Sequence, residues 1–304
     1  MKLMPHQIQI QENDTRFNWG IEAVNAREMW GQGIFGEGSI VAVIDTGCDT
    51  DHEHLSENII GGANFTDDYS SQFDKYDDNN GHGTHVSGII AANNVNYEIG
   101  IAPRAKLLIL KTMKYNGSGS ILSLIRALYY AVSWRGEKNE KVDIVCLSLG
   151  TKTDNPLLKE AVNYLVSKNI LVVVASGNEG DGSLKEEYMY PGYYNGVIQV
   201  GSVDENLSPS AYSNNNNQLD VVAPGRNIFS TFPNNEYRVM SGTSMAAPFI
   251  AGALALIIEM SKKKFNRQLT EPELYAQLIK STNLMEFSPS YTGNGIVDFS
   301  KTFK

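Results

Sequence analysis

The sequence predicts an α/β protein of three layers, a mostly parallel sheet with helices on both faces. Two patterns carry this. Short, unbroken apolar runs rich in Val, Ile and Leu recur along the chain, as expected of strands buried on both faces. Segments of helical period separate them, so strand and helix alternate as parallel crossovers require. A length of 304 residues suits one large domain, and 42% apolar against 19% charged residues describes a globular chain, not a disordered one.

Each element has its own reason. Residues 40–44 form a buried strand, and 84–92 a short helix of small residues. A second strand spans 106–110. In 120–134, Ile121, Leu124, Ile125, Leu128, Tyr129 and Val132 recur near the 3.6-residue period of an amphipathic helix. Residues 142–149 form a strand, and 156–168 a helix whose proline sits in the tolerated first turn. Leu171–Ala175 is a β-branched strand, with later strands at 197–203 and 219–222. A long apolar helix covers 246–260, and Thr270-Glu-Pro-Glu caps a last helix over 274–280. The acidic stretch 67–80 is expected to be a surface loop near the site.

The net charge of −9 argues against nucleic acid or an anionic membrane surface as the main partner. No run reaches the ~20 apolar residues of a membrane span, and the N-terminus lacks the apolar core of a signal peptide. A cytoplasmic location is therefore expected. Cys48 and Cys146 adjoin strand-like runs and are expected to be buried, reduced thiols, with a disulfide as the competing reading. Cys48 lies three residues after Asp45, and a thiol that near the chemistry would make the protein mercury-sensitive.

Chemistry concentrates at four punctuated positions. Asp45 ends a strand, His82 lies between two glycines at a helix start, Asn178 follows a strand in Ser-Gly-Asn-Glu-Gly, and Ser244 opens the long helix from a Gly-rich turn. Serine is a poor nucleophile unless an imidazole takes its proton and a carboxylate orients that imidazole. Asn178 and the Ser244 N–H are suited to stabilise an oxyanion.

The motifs around Asp45-Thr-Gly, His82-Gly-Thr-His, Ser148-Leu-Gly, Gly177-Asn178-Glu-Gly, Val222-Ala-Pro-Gly and Gly242-Thr-Ser244-Met-Ala-Ala-Pro resemble, in that order, those of subtilisin-like serine proteases, and most of all the bacterial intracellular subtilisins. The resemblance covers about residue 20 to residue 300. It implies the subtilisin-like fold and a serine endopeptidase with Asp45 orienting, His82 as base and acid, Ser244 as nucleophile and Asn178 as oxyanion donor. Residues 19–304 would form the peptidase domain. Residues 1–18 would form a short inhibitory extension, with Leu3, Met4 and Pro5 as its blocking motif. Ser118 and Gly119, with Ser148, Leu149 and Gly150, would pair with extended protein or peptide substrates. Gly177 would wall the S1 pocket, Glu179 would sit at its rim, and Met189 would make its floor shallow.

The resemblance also brings calcium. The family's tight site is expected to be weakened or lost, because His54 replaces an aspartate and the loop at 93–100 is short. A weak site would use Asp220 with carbonyls of Gly192, Tyr194 and Val197. A homodimer belongs to the same set of implications. Broad-specificity intracellular proteolysis is the leading expectation, and maturation of a lantibiotic-type precursor by leader removal is the alternative. Outside the motifs, His85 is expected to be buried and structural, and His52 a surface or turn residue. Asp49 and Asp51 would form turns, and Asp67, Asp68, Asp74, Asp77 and Asp78 a solvated loop, with a loose calcium site as the competing reading.

Overall fold

A computed structural model describes residues 1–3, 7–9, 18–93, 100–183 and 185–301. In chain order its elements are β1 (Lys2–Leu3), β2 (Gln7–Gln9), α1 (Gly20–Ala23), α2 (Ala26–Gly31), β3 (Ile40–Asp45), β4 (Ile59–Asn64), α3 (His82–Ala91), β5 (Lys106–Lys111), α4 (Ile121–Ser133), β6 (Ile144–Leu147), β7 (Leu149–Gly150) and α5 (Pro156–Ser167). There follow β8 (Leu171–Ala175), β9 (Ile198–Val203), β10 (Val221–Pro224), β11 (Ile228–Phe232), β12 (Glu236–Ser241), α6 (Thr243–Phe265), α7 (Glu271–Lys280), β13 (Thr282–Asn283), α8 (Pro289–Thr292) and β14 (Ile296–Val297).

The central sheet has nine strands in the order β13-β14-β10-β9-β8-β6-β3-β5-β4. All its pairings are parallel except β13 with β14. The pleat sorts side chains into two cores. Val41, Val43, Leu107, Ile109, Cys146 and Val173 face one side, against α3 and α6. Ala42, Ile44, Leu108, Leu110, Val145, Val172 and Val174 face the other, against α4 and α5. This explains the unbroken apolar runs: neither face of a central strand meets water.

The expected strands and helices are found, with shifted ends. The strand read as 142–149 breaks at Ser148 into β6 and β7, and the strand read as 219–222 starts at Val221 as β10. The long helix is longer than expected: α6 has 23 residues and is buried from Thr243 to Ser261. It is long and apolar enough to cross a membrane, but its apolar stretch lies in the core. Strand β4 and the β11–β12 hairpin did not stand out in the sequence. β4 is Gly-rich and half-exposed, and β12 begins with charged and aromatic residues.

Strand β3 lies between β5, on the side reached by the first part of the chain, and β6, on the side reached afterwards. This is the topological switch point, where clefts open beyond the carboxyl ends of strands. Asp45 is the last residue of β3.

Candidate active site

Asp45 is fixed from several directions. Its carbonyl accepts from the N–H groups of Thr112 (2.9 Å) and Met113 (3.1 Å). Its Oδ1 accepts from Thr46 N (2.7 Å) and lies 2.8 Å from His82 Nδ1. The two side chains are 1% and 0% exposed, so little water competes for this contact. His82 is the first residue of α3. The preceding Gly81 has φ 106°, and a Cβ there would lie 2.3 Å from the Phe232 ring, so both conformation and space require glycine.

Asp78 joins the Asp45 turn to the start of α3. Its Oδ1 accepts from Thr46 Oγ1 (2.8 Å), Gly81 N (2.9 Å) and Asn80 N (3.0 Å). Its Oδ2 accepts from Thr84 N (2.9 Å) and Thr84 Oγ1 (2.7 Å). Thr46 Oγ1 in turn accepts from Gly83 N at 2.8 Å. Asp68 is likewise drawn inward, 3.2 Å from the fully buried Lys111 ammonium. Lys111 also donates to Thr46 O, Asn79 Oδ1 and Met113 O at 2.6, 2.9 and 3.1 Å. These contacts correct the reading of 67–80 as merely solvated: Asp68 and Asp78 hold the loop to the site. Sequence reasoning passed over Lys111 because a lysine ending an apolar run reads as a strand leaving the core.

Ser244 is the second residue of α6, within the first turn, where N–H groups have no intrahelical acceptor. Pro248, four residues on, has no N–H to donate back to the Ser244 carbonyl. The Ser148 hydroxyl donates to that carbonyl instead, at 2.8 Å. Ser244 Oγ donates to Ser148 O at 3.2 Å. The Asn178 amide has a set orientation: its Oδ1 accepts from Thr243 N (2.9 Å) and Thr243 Oγ1 (3.0 Å). That turns Nδ2 toward the serine turn, 3.1 Å from where a Cβ on Gly242 would sit.

The two segments expected to pair with substrate face one strand of this same chain. β1 lies antiparallel to β7, with Lys2 opposite Gly150 and Leu3 opposite Leu149. On its other side, Leu3 N donates to Gly117 O (2.9 Å), and Gly119 N donates to Met1 O (3.1 Å). Ser118 lies in this edge and its N–H donates to Asn116 Oδ1. Met4 and Pro5 fall outside the described residues. Beyond β7, Thr151 and Tyr190 exchange backbone hydrogen bonds (2.9 and 2.8 Å). Met189 is 8% exposed, and a Cβ on Gly177 would lie 2.8 Å from its Cγ, so Met189 fills space behind Gly177. Glu179 is not a lone charge: its carboxylate forms an ion pair with Lys152, reaching across from the other wall.

Three of the expected weak-cation residues have a place in one wall. Tyr194, Val197 and Asp220 line a cavity of about 310 Å³ together with Glu271 and Tyr275. Gly192 packs close to the Ala175 carbonyl and Gln199. Asp220 accepts from Tyr275 Oη (2.7 Å) and Gln199 N (2.8 Å), and burial raises its carboxyl to about 6 despite both bonds. The carboxylates of Asp220 and Glu271 in this lining are hard oxygen donors of the kind calcium takes. His54 pairs with Glu53 at 3.2 Å, and residues 94–99 of the neighbouring loop lie outside the described residues.

His85 is buried, with Nε2 3.1 Å from the carbonyls of Ile228 and Arg238. His52 lies in a turn, its N–H donating to Asp49 O (3.3 Å), but its side chain is fully buried and not on the surface. It lies edge-on to Tyr237, and its Nδ1 accepts from His54 N. Asp49 accepts from the N–H of Asp51 in a local turn and, through its other oxygen, from the distant Asn234 N–H. Cys48 and Cys146 are free and buried, and burial pushes both thiols far up, away from the reactive thiolate.

Comparison with known proteins agrees with this architecture. The model of the subtilase family matches residues 36–299. The chain is 48% identical over 298 residues to an intracellular serine protease of Paenibacillus polymyxa, covering 97% of this chain and 89% of the relative. It is 50% identical over 281 residues to the major intracellular serine protease of Bacillus subtilis (strain 168), covering 91% and 86%. It is 39% identical over 281 residues to subtilisin Savinase of Lederbergia lenta, covering 92% and 96%.

Proposed function

The chain belongs to the subtilase family of serine proteases, and from that premise we propose an intracellular endopeptidase that acts through Ser244, His82 and Asp45 and is restrained by its own N-terminus. Ser244 Oγ attacks the substrate carbonyl carbon, and His82 Nε2 takes the hydroxyl proton. Asp45 keeps the other imidazole proton on Nδ1 and stabilises the cation that forms. Asn178 Nδ2 and Ser244 N–H hold the oxyanion. As the C–N bond breaks, His82 returns the proton to the leaving amine. Water, activated by the same imidazole, then hydrolyses the acyl-enzyme.

The observation that carries this reading is the buried Asp45–His82 contact of 2.8 Å, made in the cleft at the switch point. Replacing Ser244 with Ala tests it. Casein hydrolysis and fluorophosphonate labelling should fall below detection while the melting temperature stays within ~2 °C of the parent. Undiminished hydrolysis would refute the assignment.

Self-inhibition is supported by β1, which fills the strand position between 117–119 and β7 that a substrate would need. Main-chain pairing there supports broad specificity, since it asks little of side chains. The relatives reported above are named as proteases of general kind, so nothing favours leader removal over broad proteolysis. Leu3 packs on the apolar cluster under α4 and α5. Leu3→Asp should weaken β1 and speed fluorophosphonate labelling of the full chain roughly tenfold, an effect of about 1.4 kcal/mol on docking. Intact-mass analysis checks this, with the extension still attached. Equal labelling rates would mean that β1 does not restrain the site.

A further inference from the structure

A cavity of about 830 Å³ lies along α4 and α5, on the face of the sheet away from α3 and α6. Lys141, Val142 and Ile170 of its lining precede β6 and β8, so it reaches the amino ends of those strands, whereas Asp45 stands at a carboxyl end. Its charged lining is of one sign. Arg126, Arg135, Lys141 and Lys168 face it, and among the described residues no carboxylate does, in a chain of net charge −9. Lys168 caps the end of α5 and Arg135 follows the end of α4, where the helix dipole favours a cation. Arg135 is held there, its guanidinium donating to the carbonyls of Val132 and Trp134. Arg126, within α4, and Lys141, in the loop before β6, have no such reason to be cationic, and neither pairs with a carboxylate among the described residues. Four like charges on one cavity repel each other, and a bound anion would relieve that repulsion.

The rest of the lining is largely aromatic. Tyr129 of α4 and Tyr164 of α5 have ring centroids 5.6 Å apart and are 40% and 39% exposed, so ring surface stays open. Lys168 Nζ lies 5.1 Å from the Tyr164 ring centre. Tyr130 and Phe65 add two more rings, edge to face at 5.7 Å. Cations beside open rings match a ligand that is itself both flat and anionic: its ring stacks on tyrosine, and its phosphates take the guanidinium and ammonium groups. The volume suits a molecule of that size better than a bare ion. We propose that this cavity binds a nucleotide, with the base against Tyr129 and Tyr164 and the phosphates on Arg126, Arg135, Lys141 and Lys168. Such binding leaves the cleft at Asp45 free and does not depend on the chemistry proposed there.

The test is calorimetric titration of the full-length Ser244→Ala protein, which cannot digest itself, with ATP, inorganic triphosphate and adenosine. The expected Kd for ATP is on the order of 100 µM, with inorganic triphosphate and adenosine each weaker by roughly tenfold, since each keeps only half of the match. Arg126→Glu combined with Lys141→Glu should weaken ATP by roughly tenfold or more, and Tyr164→Ala should bring ATP to the level of inorganic triphosphate. Neither cation has an ion pair to lose, so an unchanged melting temperature should accompany the loss of binding. The absence of ATP binding at millimolar concentration, or ATP binding that survives the double charge reversal, overturns the site. Inorganic triphosphate that binds as tightly as ATP overturns the part given to the rings, and with it the nucleotide.

Discussion

Pro248 shows how one residue near Ser244 shapes its surroundings. A proline inside a helix leaves the carbonyl four residues earlier without its donor. Here that carbonyl belongs to Ser244, and Ser148 at the end of β6 supplies the missing hydrogen bond. The start of α6 is thereby tied to the segment after β6 that faces β1, so Ser244 and the proposed substrate edge are set by one contact. Lys152 shows a second residue-scale effect. The family resemblance put Glu179 at the rim of the S1 pocket, where a lone carboxylate would favour a basic P1 side chain, but Lys152 pairs with it and offsets the charge. Both groups are partly exposed, so the pair is worth no more than about 1 kcal/mol. Lys152→Ala should therefore raise kcat/KM for P1 Arg relative to P1 Phe by up to about fivefold. A matched substrate pair measures it, and an unchanged ratio would remove Glu179 from the S1 rim.

At the scale of elements, α6 organises the molecule from both ends. Its first turn presents Ser244, and Glu259 in its later turns holds the loop before β3. Glu259 Oε2 accepts from the N–H groups of Phe35 (2.7 Å), Gly36 (2.7 Å) and Glu37 (2.9 Å), while Oε1 pairs with Lys263 at 2.7 Å. Burial pushes this carboxyl up, but Lys263 and the three N–H groups together hold it below the usual range. Glu259→Ala leaves three donors without their acceptor, the buried Gly36 N–H and the less buried Phe35 and Glu37 N–H groups, and should cost about 2 kcal/mol, read as a lower urea midpoint at unchanged slope. The depressed carboxyl gives the sign of the pH effect: this contribution is present at neutral pH and is lost on acidification through the folded-state value. A midpoint within error of the parent would show that the loop is held by other contacts. None of this was legible in sequence, where Glu259 reads only as a charge interrupting an apolar helix. The repeated strands and the Thr270–Glu273 capping box were legible because local pattern decides them. Asp78, Lys111 and Glu259 were not, because their partners are brought in by tertiary folding.

The whole molecule carries a pH-dependent weak point where β9 and β10 meet α7. Asp220 sits there, buried, with a carboxyl raised to about 6, and Glu271, also raised by burial, faces the same cavity. An acid whose folded value lies above its unfolded value binds its proton more tightly in the folded state. Its contribution is thus fully present below the unfolded value near 4 and is lost as pH rises through about 6. A shift of this size corresponds to about 3 kcal/mol between those limits. In the Ser244→Ala background, which removes self-digestion, Asp220→Asn should match the parent near pH 4 and exceed it at pH 7.5 in cation-free buffer. A calcium ion in the weak site expected from the family resemblance would supply the missing counter-charge, so millimolar Ca²⁺ should raise the parent's melting temperature at pH 7.5, do so less at pH 5, and leave Asp220→Asn unmoved. Thermal unfolding at the two pH values, with and without the ion, separates the claims. A parent curve indifferent to calcium at pH 7.5 removes the cation site, whereas a variant with the parent's pH slope removes Asp220 as its source.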